Sequence, residues 1–282
     1  MTARFRPRAG GHARRTKRVR RASAGLSRVR AGAALAMLLS AAAIYGLSAS
    51  SAFGFDPARM RLDGLHYTDG RELASRLGVG PGTNLVSLST EPLAARAREL
   101  STVASVEVAV ELPDTLAISV QEREPILIWA VGDRRYLVDR DGVLFAEAPG
   151  VGARALPTMT DRRLTSGGLV VGARLDPIDL DAATRLGSVR PADVGSAAAS
   201  LGVAVTDDNG FVVRAAPSGW TAVFGFYTPT LRPPALIAGQ VRLLRSLLAG
   251  REDGVDRVVL ASDTSGTYVA RPSARPTKSP RP

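Results

Sequence analysis

Cysteine is absent from the 282 residues. No disulfide can staple the fold, no thiol can act as a nucleophile, and thiolate metal ligands are excluded. Histidine is almost absent too: beside His12 near the N-terminus there is only His66. One imidazole without a thiol cannot build a histidine-based metal centre. His66 has no nucleophile-elbow motif to serve, so a Ser-His-Asp system finds no support. Lysine is scarce, with arginine outnumbering it 35 to 2, which reads as compositional bias without functional content.

Carboxylates are missing from residues 1–30, where eleven of the 37 cations sit. The remaining chain carries 26 acidic and 26 basic side chains, so the net charge of +11 belongs to the tail alone. Such a tail could neutralise nucleic-acid phosphates, but it has one aromatic, Phe5, and no stacking platform for bases. The adjoining segment points to a topogenic signal instead. From Ala31 to Phe55 no residue is charged. As a helix this run spans about 38 Å at roughly 1.5 Å per residue, enough for a hydrocarbon core of about 30 Å. The positive-inside rule places the N-terminus in the cytoplasm and residues 57–282 outside. Attraction of the tail to anionic lipid is expected as well. A cleaved signal peptide is the rival reading, because Ser50-Ser51-Ala52 offers small residues at a cleavage position. The long basic region and the long uncharged run favour a retained anchor.

Beyond the membrane the patterns alternate between strand and helix. Ala58–Leu62 reads as a short strand. Asp69 with Glu72 opens a helix reaching about Leu77, and Thr90-Glu91-Pro92 opens another reaching about Leu100. Val106–Leu112 and Leu116–Val120 alternate apolar and polar residues around Pro113-Asp114, giving a hairpin with one wet face. Glu124-Pro125 closes this β-α-α-β-β unit. A meander comes next, over Ile126–Val131, Tyr136–Val138 and Val143–Phe145. Helical periodicity is expected over about Ile178–Gly187 and more weakly over Pro191–Ser200. Strands are expected at Leu201–Thr206, Phe211–Ala215, Trp220–Phe226, Val255–Leu260 and Thr267–Ala270. Pro233–Leu248 is the best amphipathic helix, with Leu236, Ile237, Val241, Leu244 and Leu248 at i+3/i+4 spacing. Residues 271–282 hold no large apolar side chain and are expected to be disordered.

Two loops invite sharper readings. Asp139 and Asp141 beside Gly142 suggest a metal loop, yet Ca²⁺ needs further oxygen ligands and Val143–Ala146 supplies none. A hairpin turn explains them. Gly78–Gly82 lacks the Lys-Ser/Thr of a phosphate-binding loop.

The stretch Leu112-Pro113-Asp114-Thr115-Leu116-Ala117-Ile118-Ser119-Val120-Gln121-Glu122-Arg123-Glu124-Pro125, followed by Trp129 and by Tyr136-Leu137-Val138-Asp139-Arg140-Asp141-Gly142-Val143-Leu144-Phe145, resembles the FtsQ/DivIB family of cell-division proteins. Gly64-Leu65-His66-Tyr67-Thr68 is similar to the start of its POTRA (polypeptide-transport-associated) domain. The resemblance implies an α+β chain with a basic tail over 1–30, a transmembrane helix over 31–53, a POTRA domain over 54–125, a mostly antiparallel β-domain with a late amphipathic helix over 126–270, and a tail over 271–282. It also implies a non-catalytic scaffold at the division septum with no cofactor. Its partners would be FtsL- and FtsB-type (DivIC-like) coiled-coil proteins and the septal peptidoglycan synthase complex. Family members present a late β-domain strand as an edge for a partner strand, here matched by Val258, Val259, Leu260, Ala261, Ser262, Asp263, Thr264, Ser265 and Gly266, with Tyr268 just beyond. Some members carry a basic residue and an aromatic where this chain has Ala261 and Ser262. The rivals are a POTRA-containing envelope transport or assembly component and an envelope hydrolase.

Overall fold

The computed structural model describes residues 15–48, 50–148, 156–217 and 219–272. The tail before residue 15, the side chains of 15–28 and the Pro-rich end beyond residue 272 lie outside the described residues. The chain divides into two compact units. One gathers the N-terminal helix with the chain to residue 61, 78–91 and 108–118; the other gathers 62–77, 92–107 and the chain from residue 119 onward.

In the first unit, helix α1 (Arg15–Ser48) contains Val29–Ser48, long and apolar enough to cross a membrane and wholly unburied. The helix stops at Ser48, and Ser51–Phe53 form a 3₁₀ turn. Asn84 fastens this end: its Nδ2 donates to Ser48 O at 2.6 Å, while its Oδ1 accepts the Val86 N–H at 2.9 Å. The expected strand at 58–62 begins later than its pattern indicates. Asp56 caps a 3₁₀ turn at Pro57–Arg59, so β1 spans Met60–Asp63. Phe55, Leu85, Leu116 and Ile118 are buried.

In the second unit, Asp69 Oδ1 accepts the Arg71 N–H at 2.7 Å and starts α2 (Gly70–Leu77). Leu73 and Leu77, one turn apart, are completely buried, and Gly78 at φ +65° ends the helix in the left-handed region. Helix α3 (Glu91–Arg98) buries Leu93, Ala94 and Ala97, with Glu91 in its first turn and Arg96 and Arg98 in its last, matching the helix dipole. Strands β2 (Val103–Glu111) and β3 (Thr115–Glu122), whose stretch 108–118 is counted with the first unit, form with β1 a three-stranded sheet of order β1-β3-β2. The Glu122 carboxylate accepts the N–H groups of His66, Tyr67 and Thr68 at 2.7–3.0 Å, closing the loop ahead of α2. Burial pushes the Glu122 pKa up, but the Thr68 side chain and these three N–H groups outweigh it, and the net shift is downward.

The remainder of that unit is a nine-stranded sheet. Its strands are β4 (Leu127–Val131), β5 (Arg134–Val138), β6 (Leu144–Glu147), β7 (Thr158–Asp161), β8 (Ser200–Thr206), β9 (Gly210–Ala216), β10 (Thr221–Gly225), β11 (Val255–Leu260) and β12 (Gly266–Ala270). The order is β12-β11-β10-β9-β8-β7-β4-β5-β6. Five of the eight pairings are antiparallel, including the expected β4-β5-β6 meander. The pairings β4/β7, β7/β8 and β10/β11 are parallel. Two of these have helical crossovers, as parallel neighbours require: α4 (Pro177–Gly187) links β7 to β8, and α5 (Ile237–Leu248) links β10 to β11. The weak helical pattern at 191–200 resolves into one 3₁₀ turn, Pro191–Val194, ended by Gly195 at φ +65°.

The helices pack on a continuous core that includes Trp129, Tyr136, Trp220, Phe224, Leu186, Ile237, Leu244 and Val258. Inside it lies an ion network that hydropathy patterns do not reveal. Asp161, fully buried at its side chain, accepts from Trp129 Nε1 at 3.2 Å, Ser166 Oγ at 2.6 Å and Arg163 Nη2 at 2.8 Å. Arg163 Nη1 reaches Asp179 on α4 at 2.7 Å. Burial raises the Asp161 pKa, but the bonds from Arg163 and Ser166 carry it below the ordinary aspartate range. Burial keeps Asp179 above that range.

Candidate functional site

A β-sheet offers main-chain hydrogen bonds to a visitor only along an unpaired margin. At one end of the large sheet, the first residue of β6 is already bonded on its outer side: Leu144 N–H donates to Ala173 O at 2.9 Å, and Gly172 N–H donates to Leu144 O at 2.8 Å. The other end is β12. It pairs with β11 on one side, and among the described residues no strand lies on the other.

This moves the edge from where the sequence places it. Val258 pairs with Ala222 of β10 on one side and with Tyr268 of β12 on the other; Val259 pairs with Val223 and Thr267. Leu260 pairs with Gly266 and is buried. Strand β11 is therefore interior, and the expectation of an open row at Val258, Val259 and Leu260 is corrected. The family resemblance places the border at this run, whereas the crossover through α5 inserts it beside β10 and leaves the next strand outermost. Ala261, Ser262, Asp263, Thr264 and Ser265 form the connection. Of the expected residues, Gly266 and Tyr268 lie on the margin itself; Thr267, Val269 and Ala270 complete it.

The open groups on β12 can be assigned. Arg271 N–H donates inward to Gly254 O at 2.7 Å. Main-chain direction alternates along an antiparallel strand, so Val269 and Thr267 also face β11, while Gly266, Tyr268 and Ala270 face outward. Pro272, next in the outward series, has no N–H to offer and ends the row. Tyr268 lies 44% exposed with its ring under the Arg251 guanidinium at 5.5 Å, and Val269 is 54% exposed. Both faces of the strand are thus accessible.

The connection leading into β12 is tightly held. Arg232 Nη2 donates to Phe224 O at 2.6 Å and to Leu260 O at 2.7 Å, and its Nη1 donates to Ala261 O. The fully buried Gln240 donates Nε2 to the same Phe224 and Leu260 carbonyls at 3.2 and 3.3 Å and accepts the Tyr227 hydroxyl at 2.7 Å. Burial raises the Tyr227 pKa, so the phenol remains a donor. Ser262 Oγ accepts the N–H groups of Thr264 and Ser265 at 3.1 and 2.9 Å. None of Tyr227, Arg232 and Gln240 stands out in sequence, since each acts on main-chain carbonyls remote along the chain.

The other candidates resolve structurally. Asp139 Oδ1 accepts the N–H groups of Asp141 and Val143 at 2.9 and 2.8 Å, and its Oδ2 pairs with Arg123. With Gly142 at φ +81° this is a self-bonded hairpin turn. His66 is exposed, with its ring edge-on to Tyr67 at 4.6 Å. A shallow concavity of about 850 Å³ lies over the sheet strands β7 to β11; its walls include Thr160, Arg162, Arg214 and Arg257, and Asp256 is the one carboxylate among them. That composition gathers no acid–base pair.

Comparison with known proteins agrees with the fold of the N-terminal region. The family model of the POTRA domain, FtsQ-type, matches residues 55–123. Cell division protein FtsQ of Mycobacteroides abscessus is 37% identical over 78 residues, covering 28% of this chain and 25% of that protein. FtsQ of Mycolicibacterium smegmatis is 37% identical over 90 residues, covering 32% of this chain and 27% of the relative. FtsQ of Streptomyces venezuelae is 32% identical over 111 residues, covering 39% and 40%. The matched segments thus span between a quarter and two-fifths of these relatives.

Proposed function

Residues 55–123 belong to the FtsQ-type POTRA family, and from that premise we propose that this chain is a non-catalytic, membrane-anchored scaffold of the cell-division complex. Helix α1 crosses the membrane once, with the basic tail in the cytoplasm and the folded part outside, at the septum. The POTRA domain docks a neighbour close to the membrane, and β12 captures a partner strand by β-augmentation. The partners are FtsL- and FtsB-type coiled-coil proteins, through which the scaffold influences septal peptidoglycan synthesis.

One observation carries this reading: the outward main-chain groups of Gly266, Tyr268 and Ala270 have no strand to pair with among the described residues, while the opposite margin of the same sheet is bonded at its start, at Leu144. Each group left open can form a bond contributing about 1 kcal/mol net, and specificity then comes from side chains on alternate faces. The relatives are cell division proteins by name, which supports the division role.

Photo-crosslinking in dividing cells tests the proposal. A crosslinkable residue at Tyr268 or Ala270 should trap an FtsB-type partner, whereas one at exposed Leu164 should not. Equal yields from both places, or none from β12, would remove the edge from the mechanism.

A further inference from the structure

The carbonyls at the ends of two parallel strands normally point into solvent or into a helix terminus. Here the Phe224 carbonyl of β10 and the Leu260 carbonyl of β11 converge on one guanidinium and one buried amide. Arg232 then reaches one residue further, to Ala261 O, the first carbonyl of the connection to β12. Its own loop is closed: Thr228 N–H donates to Arg232 O at 2.9 Å, and Arg232 N–H donates to Thr228 Oγ1 at 3.0 Å.

The connection is seated at two more points, both on α5. Gly239, buried in that helix, lies against Asp263, and any Cβ there would collide with the Asp263 Cβ. A Cβ on Gly266 would meet Leu243 and Leu247 at 3.3 Å and Val259 O at 3.1 Å. Five residues, 261–265, are thereby fixed by a guanidinium, a helix glycine and the Ser262 hydroxyl. Beyond Gly266, β12 buries no side chain: Thr267, Tyr268, Val269 and Ala270 are all exposed.

We infer that Arg232, together with the Gly239–Asp263 contact, is a positioning device that holds β12 in register on β11 before any partner arrives. This rests on the edge-capture reading above and deepens it. An exposed border strand without core anchors would otherwise fray, and a fraying template must be ordered anew at each encounter, which weakens capture. Arg232 acts through the three carbonyls. Lysine cannot replace it, because one ammonium lacks the planar fork that spans them.

Hydrogen–deuterium exchange on the full chain in nanodiscs, paired with capture of the FtsB-type partner, tests the inference. Arg232→Gln should speed exchange at least tenfold in peptides covering 261–270, leave 127–138 protected, and weaken capture at least tenfold. Gly239→Ala keeps the Arg232 bonds and should do the same by displacing Asp263; Gly239→Ala with Asp263→Gly should restore both readouts. Unchanged protection of 261–270 in the first two variants would overturn the positioning role. So would general loss of protection that the double variant does not repair, since that marks a merely structural residue. Local loss of protection with intact capture would support the positioning role and refute edge capture instead.

Discussion

The alternation of main-chain direction along β12 makes a prediction that two neighbouring prolines can decide. At Tyr268 the N–H faces away from the protein; at Val269 it faces β11. Proline deletes the N–H and places its ring in that direction. Tyr268→Pro should leave the free protein close to wild-type stability, because the deleted donor faces solvent there. In the complex the same donor faces the partner carbonyl. Its loss removes about 1 kcal/mol of net bonding, or roughly a fivefold weakening, and the ring clash adds to that. Tyr268→Ala is the necessary control, since the ring over Arg251 is also removed. Val269→Pro breaks an inward bond of the β11/β12 ladder instead. It should destabilise the hairpin by about 1–3 kcal/mol while leaving the outward donors in place. The assay is partner binding to nanodisc-embedded full chain by biolayer interferometry, with melting curves of each variant. Capture by Tyr268→Pro equal to that of Tyr268→Ala would refute strand addition on this margin, whatever Val269→Pro does.

Three further outcomes are expected. Arg163→Ala should lower stability by about 3 kcal/mol in denaturant titration, because it strands the fully buried Asp161 charge; Arg163→Ala with Asp161→Asn should recover part of that loss. Glu122 has its folded pKa depressed, so its contribution is present above the unfolded carboxylate range and disappears as pH falls through the lower folded value. Glu122→Gln should therefore destabilise the protein at pH 7 and flatten the acid side of its stability–pH curve; an unchanged acid limb would refute this account. Intact-mass measurement of the membrane fraction should find the basic N-terminus retained, and a mature start near Phe53 would replace the anchor with a cleaved signal.

Much of the architecture is legible in the sequence because it depends on local chemistry. Asp69 starts its helix by accepting the N–H two places on, and Gly78 stops the same helix through its positive φ, so both signals sit within one turn. The meander 127–147 shows itself through Gly132, Gly142 and the self-bonding Asp139. Residues 191–200 fail for the complementary reason: Pro191 and Gly195 allow one tight turn, and the spacing beyond carries no apolar stripe long enough to extend it. The Asp161–Arg163–Asp179 network is illegible because its members look like surface charges until β4, β7 and α4 converge on them.

The displaced edge comes from the same distinction, and it shows what a late strand can and cannot reveal. Val255, Val258 and Leu260 bury one face, a pattern equally suited to a border or an interior strand, because alternation reports faces and not margins. Which strand is outermost depends on crossovers. Helix α5 returns the chain parallel to β10, and the short connection 261–265 then has to fold back antiparallel, which consumes the last free side of β11. A sequence signal for this did exist: 266–270 is a second extended run too close to turn anywhere but onto β11, and Pro272 ends its outward series. An edge of five residues, largely exposed and closed by proline, is also short enough to resist indiscriminate pairing. A partner that adds there must supply side chains as well as backbone, and the exposed Tyr268 and Val269, on opposite faces of the strand, are where those contacts would be made.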